Sequence, residues 1–259
     1  GYTLSLIFYM QSNIQKALFH LTKTLEIARQ TNNDKMIARI HIAIALCEEH
    51  SKNVPAIEKH LLIALKTAKE INNQELALDV TFSKFMVHES YTSDPANWKE
   101  LENVLIKLEK SNKIVQILEL KSNIPYYKTC IANEGWDFSY QDALLSLEKA
   151  ENLQSLYLIS KFHHKVAFLC QMKNRNEEAK EHLLKCIDIR KKMGARYELA
   201  KVYNGLGHLC FTIGQFSESI TYFKHSLELI ELRSYYSEIC LTLFNIVTIY
   251  FYIGRFKSF

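Results

Sequence analysis

Apolar residues recur three and four positions apart along most of the chain, the spacing of one helical face rather than the alternation of a strand. Leu21, Leu25 and Ala28 set this rhythm near the start; Trp98, Leu101, Val104, Leu105 and Leu108 keep it in the middle. The pattern predicts helices over 3–11, 14–30, 34–50, 54–71, 73–90, 96–110, 113–132, 139–150, 153–173, 176–192, 195–213, 216–232 and 235–253. The breaks carry turn chemistry. In IARQTNND and TAKEINNQ an Asn pair ends one helix and opens the next, since Asn tolerates the left-handed conformation and caps a helix start. Ser93-Asp94-Pro95 is a stop-and-start signal, with Pro near a first helical turn.

The pattern repeats on itself. A shift of 40 places Leu21, Leu25, Ala28 and Asn33 on Leu61, Leu65, Ala68 and Asn73. The same shift places Cys170, Ala179, Leu183 and Cys186 on Cys210, Ser219, Phe223 and Ser226, and then Cys210, Gly214 and Phe216 on Tyr250, Gly254 and Phe256. Self-similarity at a fixed period marks stacked supersecondary units. The best block is 201–240. There Gly207, Ser219 and Ser226 form a small-residue seam between two predicted helices, with Tyr203, Leu206, Cys210, Phe216, Phe223 and Leu227 around it and Gly214 at the turn. Small residues let antiparallel helices approach closely. Residues 1–92 and 153–259 read as regular repeats. Residues 93–152 read as degenerate ones, with an irregular connection at Asn133-Glu134-Gly135-Trp136 and Pro125 inside an apolar helix that it is expected to kink. All 259 residues read as one helical repeat domain, the fold class being all-α.

Composition adds little to this and excludes some classes. Seven Gly and three Pro in 259 residues disfavour a turn-rich β fold. A net charge of +4 with dispersed Lys is no nucleic-acid footprint. The apolar stretch 239–253 is shorter than the roughly 20 residues of a membrane span, so it reads as a buried repeat helix. Six Cys without a C-x-x-C, with Cys170, Cys186 and Cys210 at apolar repeat positions, read as small buried hydrophobes in a reducing cytoplasm. No phosphate loop, nucleophile elbow or H-E-x-x-H is present, so no catalytic residue, metal site or cofactor is expected. His163-His164 is an adjacent pair whose side chains point about 100° apart on a helix and do not converge on one metal.

The phrase L-G-x-x-C-x-x-x-G-x-F-x-x-S-x-x-x-F-x-x-S-L from Leu206 to Leu227 resembles a tetratricopeptide (TPR) repeat, a family that usually has Ala at Ser219 and Ser226 and Tyr at Cys210. The resemblance implies a right-handed superhelix of about six and a half helix pairs, with a period longer than the usual 34 or so. The excess implies either longer helices or a longer turn. It also implies that the first helix of each pair lines a concave wall that binds a protein or peptide. Carried onto this chain, the wall positions are Lys201, Asn204, His208 and Phe211, then Lys161, His164 and Gln171 one repeat earlier, and Phe244, Thr248 and Phe251 one repeat later. Asn offers a donor and an acceptor to a peptide backbone, Lys a charge for a carboxylate, and Phe an apolar surface. Two readings stand at Asn204, ligand contact or a helix-to-helix hydrogen bond. Two likewise stand at Phe244 and Phe251, ligand contact or packing on a further helix.

The phrase KMGARYELAKVYNGLGHL is similar to TPR arrays of bacterial multidomain signalling proteins. These join such arrays to diguanylate cyclase (GGDEF) or DNA-binding output domains, which implies a non-catalytic regulatory or sensory module. The alternative is a receptor for a short signalling peptide, similar to the Rap-like quorum-sensing regulators. The chain opens inside an apparent first helix and ends soon after Tyr250, Phe251, Tyr252 and Phe256 rather than in a polar cap, so a longer parent protein is expected. An uncovered apolar last helix is further expected to pair with a second copy as a homodimer.

Overall fold

The structure, a computed structural model, describes residues 1–11, 13–49, 51, 53–87, 97–132, 135–230 and 236–257. Among these residues every regular element is a helix. In chain order they are α1 (Tyr2–Met10), α2 (Ile14–Gln30), α3 (Asp34–Glu49), α4 (Val54–Glu70), α5 (Gln74–Val87), α6 (Trp98–Lys110) and α7 (Ile114–Ala132). There follow α8 (Trp136–Asn152), α9 (Leu156–Met172), α10 (Asn176–Met193), α11 (Arg196–Thr212), α12 (Phe216–Leu229) and α13 (Tyr236–Lys257). The fold class is thus all-α, with consecutive helices packed as pairs within each unit. The chain divides into two compact units, Gly1–Asp142 and Ala143–Phe259, with the division inside α8.

One turn type joins most of the helices. Asn32, Asn72, Asn112, Gln154, Asn174, Gly194 and Gly214 all take positive φ, between 49° and 78°. In each case the next residue's N–H reaches back to a carbonyl of the finished helix, as in Asn33 to Ala28 (2.9 Å), Asn73 to Ala68 (2.9 Å) and Gln215 to Cys210 (2.8 Å). This bond ties down carbonyls that a helix end otherwise leaves unpaired. Asn33 and Asn73 then accept from the N–H of Met36 and Leu76 at 3.0 and 2.9 Å, starting the following helix as the Asn pairs predicted. In the second unit these turns fall 20 residues apart, at 154, 174, 194 and 214. Helices of 17 or 18 residues and short turns make up the interval over α9, α10 and α11, so the long period comes from longer helices and not a longer turn.

The first unit holds two adjoining cores. Ala38, Ala45, Ile57, Leu61, Ala64, Leu76 and Val80 pack between α3, α4 and α5. Phe82, Phe85, Leu101, Val104, Leu108 and Leu120 pack between α5, α6 and α7, so helix pairing continues through the stretch that fits the repeat poorly. Lys113 at the start of α7 anchors it to α5 through Asp79 and through Glu75 at 3.2 Å.

In the second unit the small-residue seam is where the sequence placed it. Ser219 and Ser226 are buried on α12, and their hydroxyls donate to the carbonyls of Gly207 (2.6 Å) and Ala200 (2.9 Å) on α11. One repeat earlier the thiol of Cys186 makes the equivalent contact with the carbonyl of Ser160 at 3.1 Å. Ser and Cys are therefore admitted where Ala is usual because a carbonyl of the facing helix satisfies them. Cys170, Cys186 and Cys210 are fully buried, and burial pushes the first two thiols up to about 12 and about 11.

Three expectations need correction. The connection near 133–136 does not include Trp136, which opens α8 directly after Gly135 (φ 69°) and stacks on Tyr140 with ring centroids 4.8 Å apart. Asn133 and Glu134 lie outside the described residues, as does Ser93-Asp94-Pro95. Gly254 does not end a helix as Gly214 does. It lacks a positive φ, and α13 runs through it to Lys257, a helical glycine costing only about 1 kcal/mol. The stretch 239–253 is not a buried helix: Thr242 and Ile249 are buried, but Phe244 and Val247 are 66% and 64% exposed because no described helix covers that side of α13. No helix among the described residues is long and apolar enough to cross a membrane.

Candidate functional site

The inner positions named from the sequence come from α9, α11 and α13. Six of the ten line two cavities of the second unit. The larger, about 300 Å³, is lined by His164 of α9, by Tyr197, Ala200, Lys201, Asn204 and Gly205 of α11, by Ser226 and Ile230 of α12, and by Leu241 of α13. The smaller, about 60 Å³, is lined by His208, Phe211, Phe223, Asn245 and Thr248. Phe244 and Phe251 lie on the exposed side of α13, and Lys161 and Gln171 line neither cavity.

Hydrogen bonds fix the polar members. The Asn204 amide donates to Thr242 Oγ1 at 2.7 Å, joining α11 to α13, which is the helix-to-helix reading of that residue. One turn further on, His208 Nε2 and Asn245 Nδ2 stand 3.1 Å apart, a second polar tie between the same helices. Lys201 sits 4.4 Å over the Tyr197 ring and 3.6 Å from Glu198, with its side chain about two-fifths exposed. Lys161 repeats this in α9, its ammonium 3.3 Å from the Tyr157 hydroxyl and 5.5 Å from that ring. His164 is kept neutral, its pKa driven down to about 3 first by burial and then by the Arg190 charge, with Lys201 adding to the effect and Glu198 opposing it. Arg190 is itself buried and donates to the Glu198 carbonyl at 2.6 Å.

The larger cavity therefore has an apolar body of Ala200, Gly205, Ile230, Leu241 and the Tyr197 ring, with one cation, Lys201, and one amide, Asn204, among its polar lining. Such a space suits an apolar side chain with a polar or acidic neighbour. It presents no nucleophile with a base and an orienting group, and among the described residues no three or more His, Cys, Asp or Glu are grouped to hold a metal. The sequence pattern does not single out Tyr197, Gly205, Ile230 or Leu241. Leu241 was within reach, lying 40 residues after Lys201 in the same register.

Helix hairpins in a shared register, tied by a small-residue seam, with two cavities lined in part by their first helices, define a helical-repeat protein. Residues 158–232, which hold most of the hairpins α9–α10 and α11–α12, match the tetratricopeptide repeat family. No curated protein matches the chain. Among solved structures it is similar to the crystal structure of BtubC (BKLC) from P. vanneervenii, with 12% identity, a TM-score of 0.45 and coverage of 94% of this chain and 85% of that one.

Proposed function

We propose that the second unit is a non-catalytic module that binds a protein or peptide, with the larger cavity receiving an apolar side chain of the ligand. The observation that carries this is the convergence of His164, Lys201 and Asn204, inner positions of two successive repeats, on one apolar-walled space. A volume of about 300 Å³ accommodates a leucine- or phenylalanine-sized group. Lys201 serves a carboxylate beside it, exchanging its exposed pairing with Glu198, which at this degree of exposure is a weak bond to give up. The module acts as the regulatory or sensory part of a larger bacterial signalling protein in the cytoplasm, coupled to a diguanylate cyclase or DNA-binding output domain. Buried free thiols support the reducing compartment. In the alternative, a Rap-like receptor for a signalling peptide, Asn204 grips the peptide backbone and must give up its bond to Thr242.

Gly205 supplies the test. A Cβ there would lie in ordinary contact with Leu183, no nearer than 3.7 Å, so the first carbon of a side chain meets no clash. Gly205→Leu removes a helical glycine worth about 1 kcal/mol and fills the cavity, so stability is held or raised while binding is lost. Peptides selected on the full chain from a displayed random library are expected to share a bulky apolar residue and to bind Gly205→Leu at least about tenfold more weakly. Unchanged affinity for that variant would sink the assignment of the cavity.

The open side of α13 supports a homodimer. Leu243, Phe244, Val247, Tyr250 and Phe251 are each about half exposed or more, and 239–254 contains no charged residue. Two copies of this face bring no like charges together, and pairing them buries the patch. Light scattering at high protein concentration should report a dimer that Val247→Glu converts to monomer. A monomer in the unsubstituted chain contradicts this.

A further inference from the structure

Two hairpins, one in each unit, hold the same unusual contact. In α3–α4 the rings of His41 and His60 face one another with Nδ1 atoms 2.7 Å apart and centroids 5.0 Å apart. In α9–α10, His163 and His182 do the same at 2.8 Å and 4.9 Å. Both pairs are separated by 19 residues, and one pair lies 122 residues after the other, as do the helix starts at Asp34 and Leu156 and at Val54 and Asn176. The two contacts therefore occupy one register position. The next hairpin, α11–α12, carries Tyr203 and Tyr222 there instead, stacked at 6.2 Å.

A contact between two Nδ1 atoms works with one proton on the line between them. One ring donates and the other accepts. An added proton on the outer nitrogen of the donating ring leaves that bond in place. A further proton leaves only the accepting Nδ1, and then two N–H groups point at each other across less than 3 Å, both rings charged. Each pair thus tolerates one added proton and not two. In the unfolded chain both rings take one near pH 6.5.

The surroundings resist even the first. His41 and His163 are 2% and 5% exposed, and His41 Nε2 has no hydrogen-bond partner. The charges acting on His41 are Arg29 from α2 and Lys59 from α4, while Glu48 of α3 opposes Lys59 at His60. Lys185 of α10 faces both His163 and His182, against Glu178 and Glu181 at His182. Burial first and the partner ring second drive the pKa of His41 and of His163 to about 4; burial also lowers those of His60 and His182. Because the folded pKa lies below the unfolded one, the stability of each hairpin is whole above pH 6.5 and drains away as pH falls toward 4.

We propose that these paired imidazoles are acid-opened clasps, which hold α3 to α4 and α9 to α10 at neutral pH and release both hairpins when a second proton reaches each pair. The test uses the full chain and two readouts. Histidine ring nitrogen NMR from pH 7.5 to 4.5 should find His41 and His163 still neutral at pH 5, and a ring of either pair titrating at or above pH 6.5 would overturn the proposal. Amide exchange, corrected for its intrinsic pH dependence, should quicken between pH 7 and pH 5 by about tenfold more in α9 and α10 than in α11 and α12. The doubly substituted chain His163→Tyr, His182→Tyr reproduces the tyrosine pair of the next hairpin and should shed the share of that excess due to the pair, keeping only what the buried His164 of α9 contributes. An excess equal in both chains would also overturn it, and the ring titration of the unsubstituted chain decides the matter if the variant does not fold.

Discussion

Gly207→Ala is expected to destabilise the second unit by about 2 kcal/mol, although alanine is the better helix former by about 1 kcal/mol. A Cβ on Gly207 would stand 2.7 Å from Cδ1 and Cε1 of Phe223 and 2.9 Å from its Cζ. The ring is 1% exposed and meets the edge of His208 at 5.4 Å, so it has nowhere to retreat in a close-packed interior. The preceding hairpin shows the repair. At the same register it carries Ala167 and Leu183, a larger residue on the first helix and a smaller one on the second, both buried. Phe223→Leu alone should cost about 1 kcal/mol by leaving space. Combined with Gly207→Ala it should recover most of the loss, giving a coupling of roughly 1–3 kcal/mol in a double-mutant cycle read by urea unfolding. Additive losses would mean that the two positions do not share one contact.

A larger effect is expected from Phe85→Ala. Phe85 is 1% exposed at the centre of the core formed by α5, α6 and α7, with Leu101 and Leu108 completely buried around it. Truncating a buried phenylalanine removes its transfer free energy and leaves a void, together about 3–5 kcal/mol. That is a large fraction of the 5–15 kcal/mol that holds a typical domain folded. Urea unfolding followed by helical circular dichroism should show the loss as a lower midpoint. A change below about 1 kcal/mol would mean that the middle of the chain is packed more loosely than its helix pairing implies.

That middle was also where the sequence was hardest to read, and the reason is a slip of register. The left-handed turn residues Asn32, Asn72 and Asn112 keep the 40-residue step, but the next equivalent one is Gln154, 42 residues on. The 19 residues of α7, against 17 in α2, α4 and α9, contribute the slip. A comparison at a fixed shift loses its matches there while the apolar spacing of each helix persists. Single-helix periodicity therefore located α6 and α7, and the repeat pattern did not.

The second unit was legible because the positions of Gly207, Ser219, Phe223 and Ser226 are matched one 40-residue step earlier by Ala167, Ala179, Leu183 and Cys186, small facing small and apolar facing apolar, and each has a packing reason to be there. The candidate site was legible only in part. Register placed His164, Lys201, Asn204, His208, Phe211 and Thr248 on cavity walls, since first helices present the same face in each repeat. It could not say that Asn204 would turn to Thr242, because that bond depends on how closely α13 approaches α11. The histidine clasps went unread for a related reason. Each partner sits on its own helix with 18 residues between, and the two pairs are three repeats apart with the slip intervening.

Ligand binding at the inner face of α11 and α13 is tested most directly by placing a photo-reactive amino acid at single positions and exposing the full chain to a peptide selected on it. Cross-linking is expected from position 201 or 241, on the wall of the larger cavity, and none from position 185, on the exposed surface of α10. Gly205→Leu is expected to abolish the cross-link. Cross-linking from 185 with none from 201 or 241, or a cross-link at 201 that survives Gly205→Leu undiminished, would contradict binding at that face.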